Sequence, residues 1–123
     1  MSGAKKVLVV DDDRTIHILL KAALEKAGYQ VFPALDAVQG VMMAKQLRPD
    51  LVILDIMMPA GGGFVVYDRL QMMVGSFQVP FIIYSSAERS EILKKIPEGP
   101  QVVVLSKTAS LPELLSAAAR LTA

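Results

Sequence analysis

Five times along this chain a short apolar run is followed by a stretch with helical spacing. The runs are Lys5–Val10, Tyr29–Pro33, Leu51–Leu54, Pro80–Tyr84 and Gln101–Leu105. Unbroken apolar runs of this length suit strands buried on both faces, as in a parallel sheet. Strict strand–helix alternation then calls for helices on both faces of that sheet, a three-layer α/β sandwich of five βα units. Pro33 cannot donate to a ladder, so the second strand belongs at an edge. This favours the flavodoxin-like parallel order 2-1-3-4-5.

The intervening stretches carry helix signals. Ile16, Leu19, Leu20, Ala23, Leu24 and Ala27 mark one apolar face, with Gly28 at the C-terminal cap. Asp36 and Gln39 form a capping box for a second helix through Val38, Val41, Met42 and Leu47, which Arg48-Pro49-Asp50 stops. Pro59–Gly63 reads as a flexible loop before a helix from Phe64 to Met73, with Val66, Leu70 and Met73 inward and Gly75-Ser76 closing it. Glu88–Ile96 reads as a short helix broken by Pro97–Pro100. Ser110 and Glu113 cap a last helix with Leu111, Leu114, Leu115, Ala118 and Leu121 on its apolar face.

The 123 residues suit one domain over residues 1–123, and 53% hydrophobic residues suffice for a full core. A net charge of +1 gives no basic field for direct nucleic-acid binding. The chain has no cysteine, which excludes disulfides and thiol catalysis. Neither a signal peptide nor a membrane span is visible, so a cytoplasmic protein is expected.

Ligands in such sheets bind at the carboxyl ends of the strands, where strand order reverses. The first strand delivers Asp11 and Asp12 to that end, the third Asp55, the fourth Ser85 and the fifth Lys107. Taken singly, Asp11, Asp12 and Asp13 need only cap the first helix, and Asp55 need only cap the segment after its strand. Taken together, three neighbouring carboxylates repel one another, and a divalent cation resolves the conflict. An oxygen-only ligand set suits Mg²⁺ or Mn²⁺. A carboxylate, a metal, a hydroxyl and a lysine are the parts needed to accept a phosphoryl group, with Asp55 as the attacking group. Asp13 keeps the capping role. His17, the single histidine, reads as a surface residue, the internal methionines as core filling, and Tyr84 as a packed aromatic.

Val-Leu-Val-Val-Asp11-Asp12, Leu-Asp55-Ile-Met-Met-Pro59, Ser85 and Lys107, in this order and on these elements, resemble the receiver domain of two-component response regulators. The resemblance spans essentially the whole chain. It implies phosphorylation of Asp55 by a histidine kinase or a histidine phosphotransfer protein. It implies Mg²⁺ held by Asp12, Asp55 and the Met57 backbone carbonyl, with Asp11 acting through water. Ser85, preferred over Ser86, becomes the switch hydroxyl and Lys107 the phosphate-binding lysine. A signal would pass through the fourth helix, fifth strand and fifth helix, a face expected to carry Ile92, Ile96 and Val104 and to bind a partner or a second copy. Met57 and Ala87 occupy the positions that tune dephosphorylation. Such a protein would not be an enzyme beyond self-phosphotransfer and autodephosphorylation.

Four departures stand out. Thr108 follows Lys107 where the family has a cis proline, so a trans bond or a rearranged loop is expected. Val104 replaces the switch aromatic. Gly61-Gly62 replaces a common Met-Asp and should loosen the loop after Asp55. The turn Pro97–Pro100 replaces the usual lead-in to the fifth strand. The first two motivate an alternative reading, a receiver-like interaction module that works without phosphorylation. A haloacid-dehalogenase-type phosphatase would need an acid at Met57. A flavodoxin would need a Ser/Thr/Gly phosphate cradle where Asp11–Asp13 stand. Both a stand-alone receiver and one cut from a longer regulator fit the sequence.

Overall fold

In a computed structural model the five apolar runs are strands of one parallel sheet in the order β2-β1-β3-β4-β5. The structure describes residues 3–59, 62–72 and 78–123. The elements are β1 (Lys6–Val10), α1 (Arg14–Lys26), β2 (Gln30–Ala34), α2 (Ala37–Leu47), β3 (Leu51–Leu54), α3 (Gly62–Gln71), β4 (Phe81–Ser85), α4 (Arg89–Leu93), β5 (Val102–Ser106) and α5 (Leu111–Leu121). Pro33 lies on the edge strand β2, opposite Val9.

Side chains alternate across the sheet as the pleat requires. Leu8, Val10, Val52, Leu54, Phe81 and Ile83 point to one face, where Val66, Leu70 and Ile92 cover them. Val7, Val9, Leu51, Ile53, Ile82 and Tyr84 point to the other, under Leu20, Leu24, Leu114 and Ala118. Central strands are therefore buried on both faces, which is why they contain no polar residue before their ends.

Caps set the helix starts. Asp13 accepts from the Thr15 amide at 2.9 Å, Asp36 from the Gln39 amide at 2.8 Å, and Ser110 from the Glu113 amide at 3.2 Å. Gln39 reaches back to the Leu35 amide, one residue before the cap. Gly28 takes a φ of +98°, a conformation that glycine adopts without steric cost.

Several expectations need correction. Helix α3 begins at Gly62, inside the stretch read as a loop, and Gly62 and Gly63 are buried. A Cβ on Gly63 would lie 2.3 Å from the Asp55 carbonyl oxygen and 2.4 Å from the Ile56 Cα. The glycine serves close packing of helix on loop, not flexibility. Helix α4 ends at Leu93 rather than Ile96. On α2 the buried positions are Gly40 and Ala44, while Val38 and Met42 face solvent, as does Leu19 on α1. Of the described internal methionines only Met58 is buried in the core, and Met42, Met57 and Met72 are exposed. Ile92, Ile96 and Val104 are buried rather than displayed. Gly61, Met73 and Gly75-Ser76 lie outside the described residues.

Candidate functional site

β1 and β3 are neighbours, yet their chains continue to opposite faces of the sheet, which opens a crevice at their carboxyl ends. The Asp55 amide donates to the Val10 carbonyl at 2.9 Å, and the Asp11 amide to the Ala34 carbonyl at 3.1 Å. Ladder hydrogen bonds thus bring two carboxylates side by side. Asp11 is 2% and Asp55 4% exposed. Asp12 is exposed, and one carboxylate oxygen from each of Asp11, Asp12 and Asp55 lies within 4.8 Å of the others.

Each buried acid uses its two oxygens in the same way. Asp11 Oδ1 accepts from the Asp13 amide at 2.8 Å, and Asp55 Oδ1 from the Met57 amide at 3.0 Å. Both Oδ2 atoms face the Lys107 ammonium, at 2.9 Å from Asp11 and 3.2 Å from Asp55. Burial and the charge of Asp55 raise the Asp11 carboxyl above its ordinary value, against the opposing pull of Lys107 and the Asp13 amide. Burial works to lower the Lys107 ammonium, but its contacts with Asp11 and Asp55 outweigh this and raise it. Three carboxylates against one ammonium leave two negative charges at the crevice. Lys107 is partly exposed beside the two buried acids, and Asp12 is the exposed member of the acid cluster. An all-oxygen donor set of this charge fits a hard divalent cation.

Ser85 is fully buried at the end of β4, and its Oγ accepts from the Ala87 amide at 3.1 Å. Its carbonyl accepts from the Lys107 amide at 3.0 Å, so a backbone hydrogen bond ties the serine to the lysine just past the Ser85–Ser106 pair. His17 is half-buried and donates from Nε2 to the Asp11 carbonyl at 2.7 Å, which corrects its reading as a surface residue. No cis peptide occurs among the described residues, so Lys107–Thr108 is trans, as expected.

The sequence reading missed a polar clasp on β5. Val104 pairs with Ile83 on one side, which leaves its own amide and carbonyl at the outer edge of the strand. Glu98 Oε2 accepts from the Val104 amide at 2.8 Å. Arg89 Nη1 donates to the Val104 carbonyl at 2.8 Å and Arg89 Nη2 pairs with Glu98. A cavity of about 270 Å³ beside it is lined by Ser86, Ala87, Arg89, Ile92, Val104 and Ser106, among others. The only local signal was opposite charge at Arg89 and Glu98, too far apart in sequence to read as a helix pair.

A family model for the response regulator receiver domain matches residues 7–119. The chain belongs to that family. This receiver is 38% identical over 81 residues to the DNA-binding dual master transcriptional regulator RpaA of Synechocystis sp., covering 66% of this chain and 34% of that protein. It is 29% identical over 113 residues to sporulation initiation phosphotransferase F of Bacillus subtilis, covering 92% of this chain and 90% of that one. Among solved structures, the chemotaxis response regulator CheY4 of Vibrio cholerae superposes with a TM-score of 0.84 at 26% identity, covering 96% of this receiver and 98% of that chain. The chain thus spans about a third of the first relative's length and nearly all of the other two.

Proposed function

We propose that this receiver is a phosphorelay switch that accepts a phosphoryl group on Asp55 from the phosphohistidine of a histidine kinase or histidine phosphotransfer protein. The observation that carries the reading is the Lys107 ammonium set between the buried carboxylates of Asp11 and Asp55. An Asp55 oxygen attacks phosphorus, the phosphorus–nitrogen bond breaks, and the imidazole leaves with a proton. Lys107 then neutralises a phosphoryl oxygen, and the Ser85 hydroxyl turns from the Ala87 amide to hydrogen-bond another. Asp11, Asp12 and Asp55, with the Met57 backbone carbonyl, fit Mg²⁺ or Mn²⁺, which would supply further positive charge for the phosphoryl oxygens.

The signal leaves through α4, β5 and α5. Support for this comes from Arg89, which follows Ser85 by one short loop and holds the Val104 carbonyl. Movement of Ser85 therefore pulls on β5 through a side chain other than an aromatic at position 104. That face serves a downstream protein or output domain, or a second copy in a homodimer. Direct nucleic-acid and membrane contacts form no part of this reading, and among the described residues no helix is long and apolar enough to cross a membrane. Such a switch works in the cytoplasm and is not an enzyme beyond its own phosphotransfer and dephosphorylation.

A Mg²⁺ and beryllofluoride titration followed by NMR tests the reading. Amide signals of Asp11, Asp55, Ser85 and Lys107 should shift most, with a second group along Arg89, Glu98 and Val104. The departures at Val104 and Thr108 favour one rival, an interaction module that works unphosphorylated. No response to beryllofluoride, with unchanged partner affinity in Asp55→Ala, would establish that rival instead.

A further inference from the structure

The Lys107 side chain spans from the residue after β5 to the acids that follow β1 and β3, so its effect depends on where its backbone is held. Both polar groups of that backbone are engaged by the last two residues of β4. The Lys107 amide donates to the Ser85 carbonyl at 3.0 Å, and the Tyr84 hydroxyl donates to the Lys107 carbonyl at 3.4 Å. Tyr84 is 3% exposed, and among the described residues no buried side-chain polar atom lacks a partner. The contact is long for a hydroxyl donor, yet it is the partner that the structure provides for a hydroxyl whose burial alone is unfavourable. Burial raises the Tyr84 hydroxyl above its ordinary value, so it stays protonated and acts as a donor.

Beyond Lys107 the chain turns at once. The Ala109 amide donates to the Ser106 carbonyl at 2.9 Å, which makes Ser106–Ala109 a β-turn with Lys107 and Thr108 at its centre. Ser106 Oγ accepts from the Thr108 amide at 3.1 Å and shares a hydrogen bond with Thr108 Oγ1 at 2.8 Å. The turn is thus cross-tied by two hydroxyls in a stretch that contains no proline.

We propose that Tyr84 and Thr108 are positioning residues that fix the Lys107 backbone so that its ammonium meets Asp11 and Asp55. The proposal rests on the phosphoacceptor reading of Asp55 for its consequence, but the placement of the lysine is testable without phosphate. Tyr84→Phe deletes one hydroxyl and keeps the ring that packs against α1 and α5. Thr108→Ala deletes the second tie on an exposed turn, and Thr108→Ser restores it.

Two readouts decide. In the free protein, the Lys107 Cε–Hε NMR signal should move toward the position of solvated lysines in Tyr84→Phe and in Thr108→Ala, and return in Thr108→Ser. With acetyl phosphate and Mg²⁺, the same two variants should be phosphorylated more slowly, by on the order of tenfold, since small misplacements of a reacting group cost rate steeply. In a Lys107→Ala background neither substitution should slow the reaction further. An unmoved lysine signal overturns the proposal, and so does an equal slowing with and without Lys107. If the wild-type protein takes up no phosphoryl group while the lysine signal moves as stated, the phosphoacceptor reading fails and the positioning roles stand.

Discussion

A methyl group added at Gly63 would collide with backbone, not with a side chain that can turn aside. The Asp55 carbonyl oxygen and the Ile56 Cα lie 2.3 and 2.4 Å from the position it would take. Gly63→Ala should therefore cost about 1–3 kcal/mol in denaturant unfolding, the usual penalty of overpacking. It should also weaken Mg²⁺ binding, because the strain falls on the segment that carries Asp55. Position 57 has a different consequence. Met57 is exposed and Ala87 sits on the amide that holds Ser85, and neither side chain can orient a water molecule for attack on an acyl phosphate. The phosphorylated protein should persist for minutes or longer in a dephosphorylation time course, and decay within seconds would contradict this. Acid, hydroxyl and lysine were legible at this scale because each ends an apolar strand. Gly63 was not, because a glycine in a loop and a glycine under a helix look alike until the helix start is known.

The outer edge of β5 is sealed by side chains rather than by another strand. Glu98 and Arg89 satisfy the amide and carbonyl of Val104, and Gly99 pairs with Val102 in an antiparallel bridge. Exposed edges invite pairing with other chains, so this covering protects the sheet as well as linking α4 to β5. Burial works to raise the Glu98 carboxyl, but the Val104 amide and Arg89 outweigh it and hold it below its ordinary 4.5. A carboxyl depressed in the folded state stabilises above its unfolded value and loses that contribution as pH falls through the folded one. Glu98→Gln should lower stability at neutral pH by about 0.5–1 kcal/mol, the range of a solvent-screened pair. The difference should vanish in acid, below pH 4.5, in paired pH-stability curves. Sequence periodicity finds helices and strands, but such a clasp joins residues nine apart through side-chain geometry, which periodicity does not carry.

Across the whole molecule, the alternation of apolar runs and helical spacing was enough for the architecture. Pro33 identified the edge strand, and with it the strand order and the crevice between β1 and β3. The outer helix faces were less legible. Exposed Val38, Met42 and Met72 carry the same hydrophobic mark as buried residues, and only packing against the sheet tells them apart. Phosphorylation at Asp55 is read by intact-protein mass after incubation with acetyl phosphate and Mg²⁺. The wild-type chain should gain the mass of one phosphoryl group, chelation of the metal should abolish the gain, and Asp55→Asn should show none. Equal incorporation in Asp55→Asn would mean that Asp55 is not the phosphoacceptor.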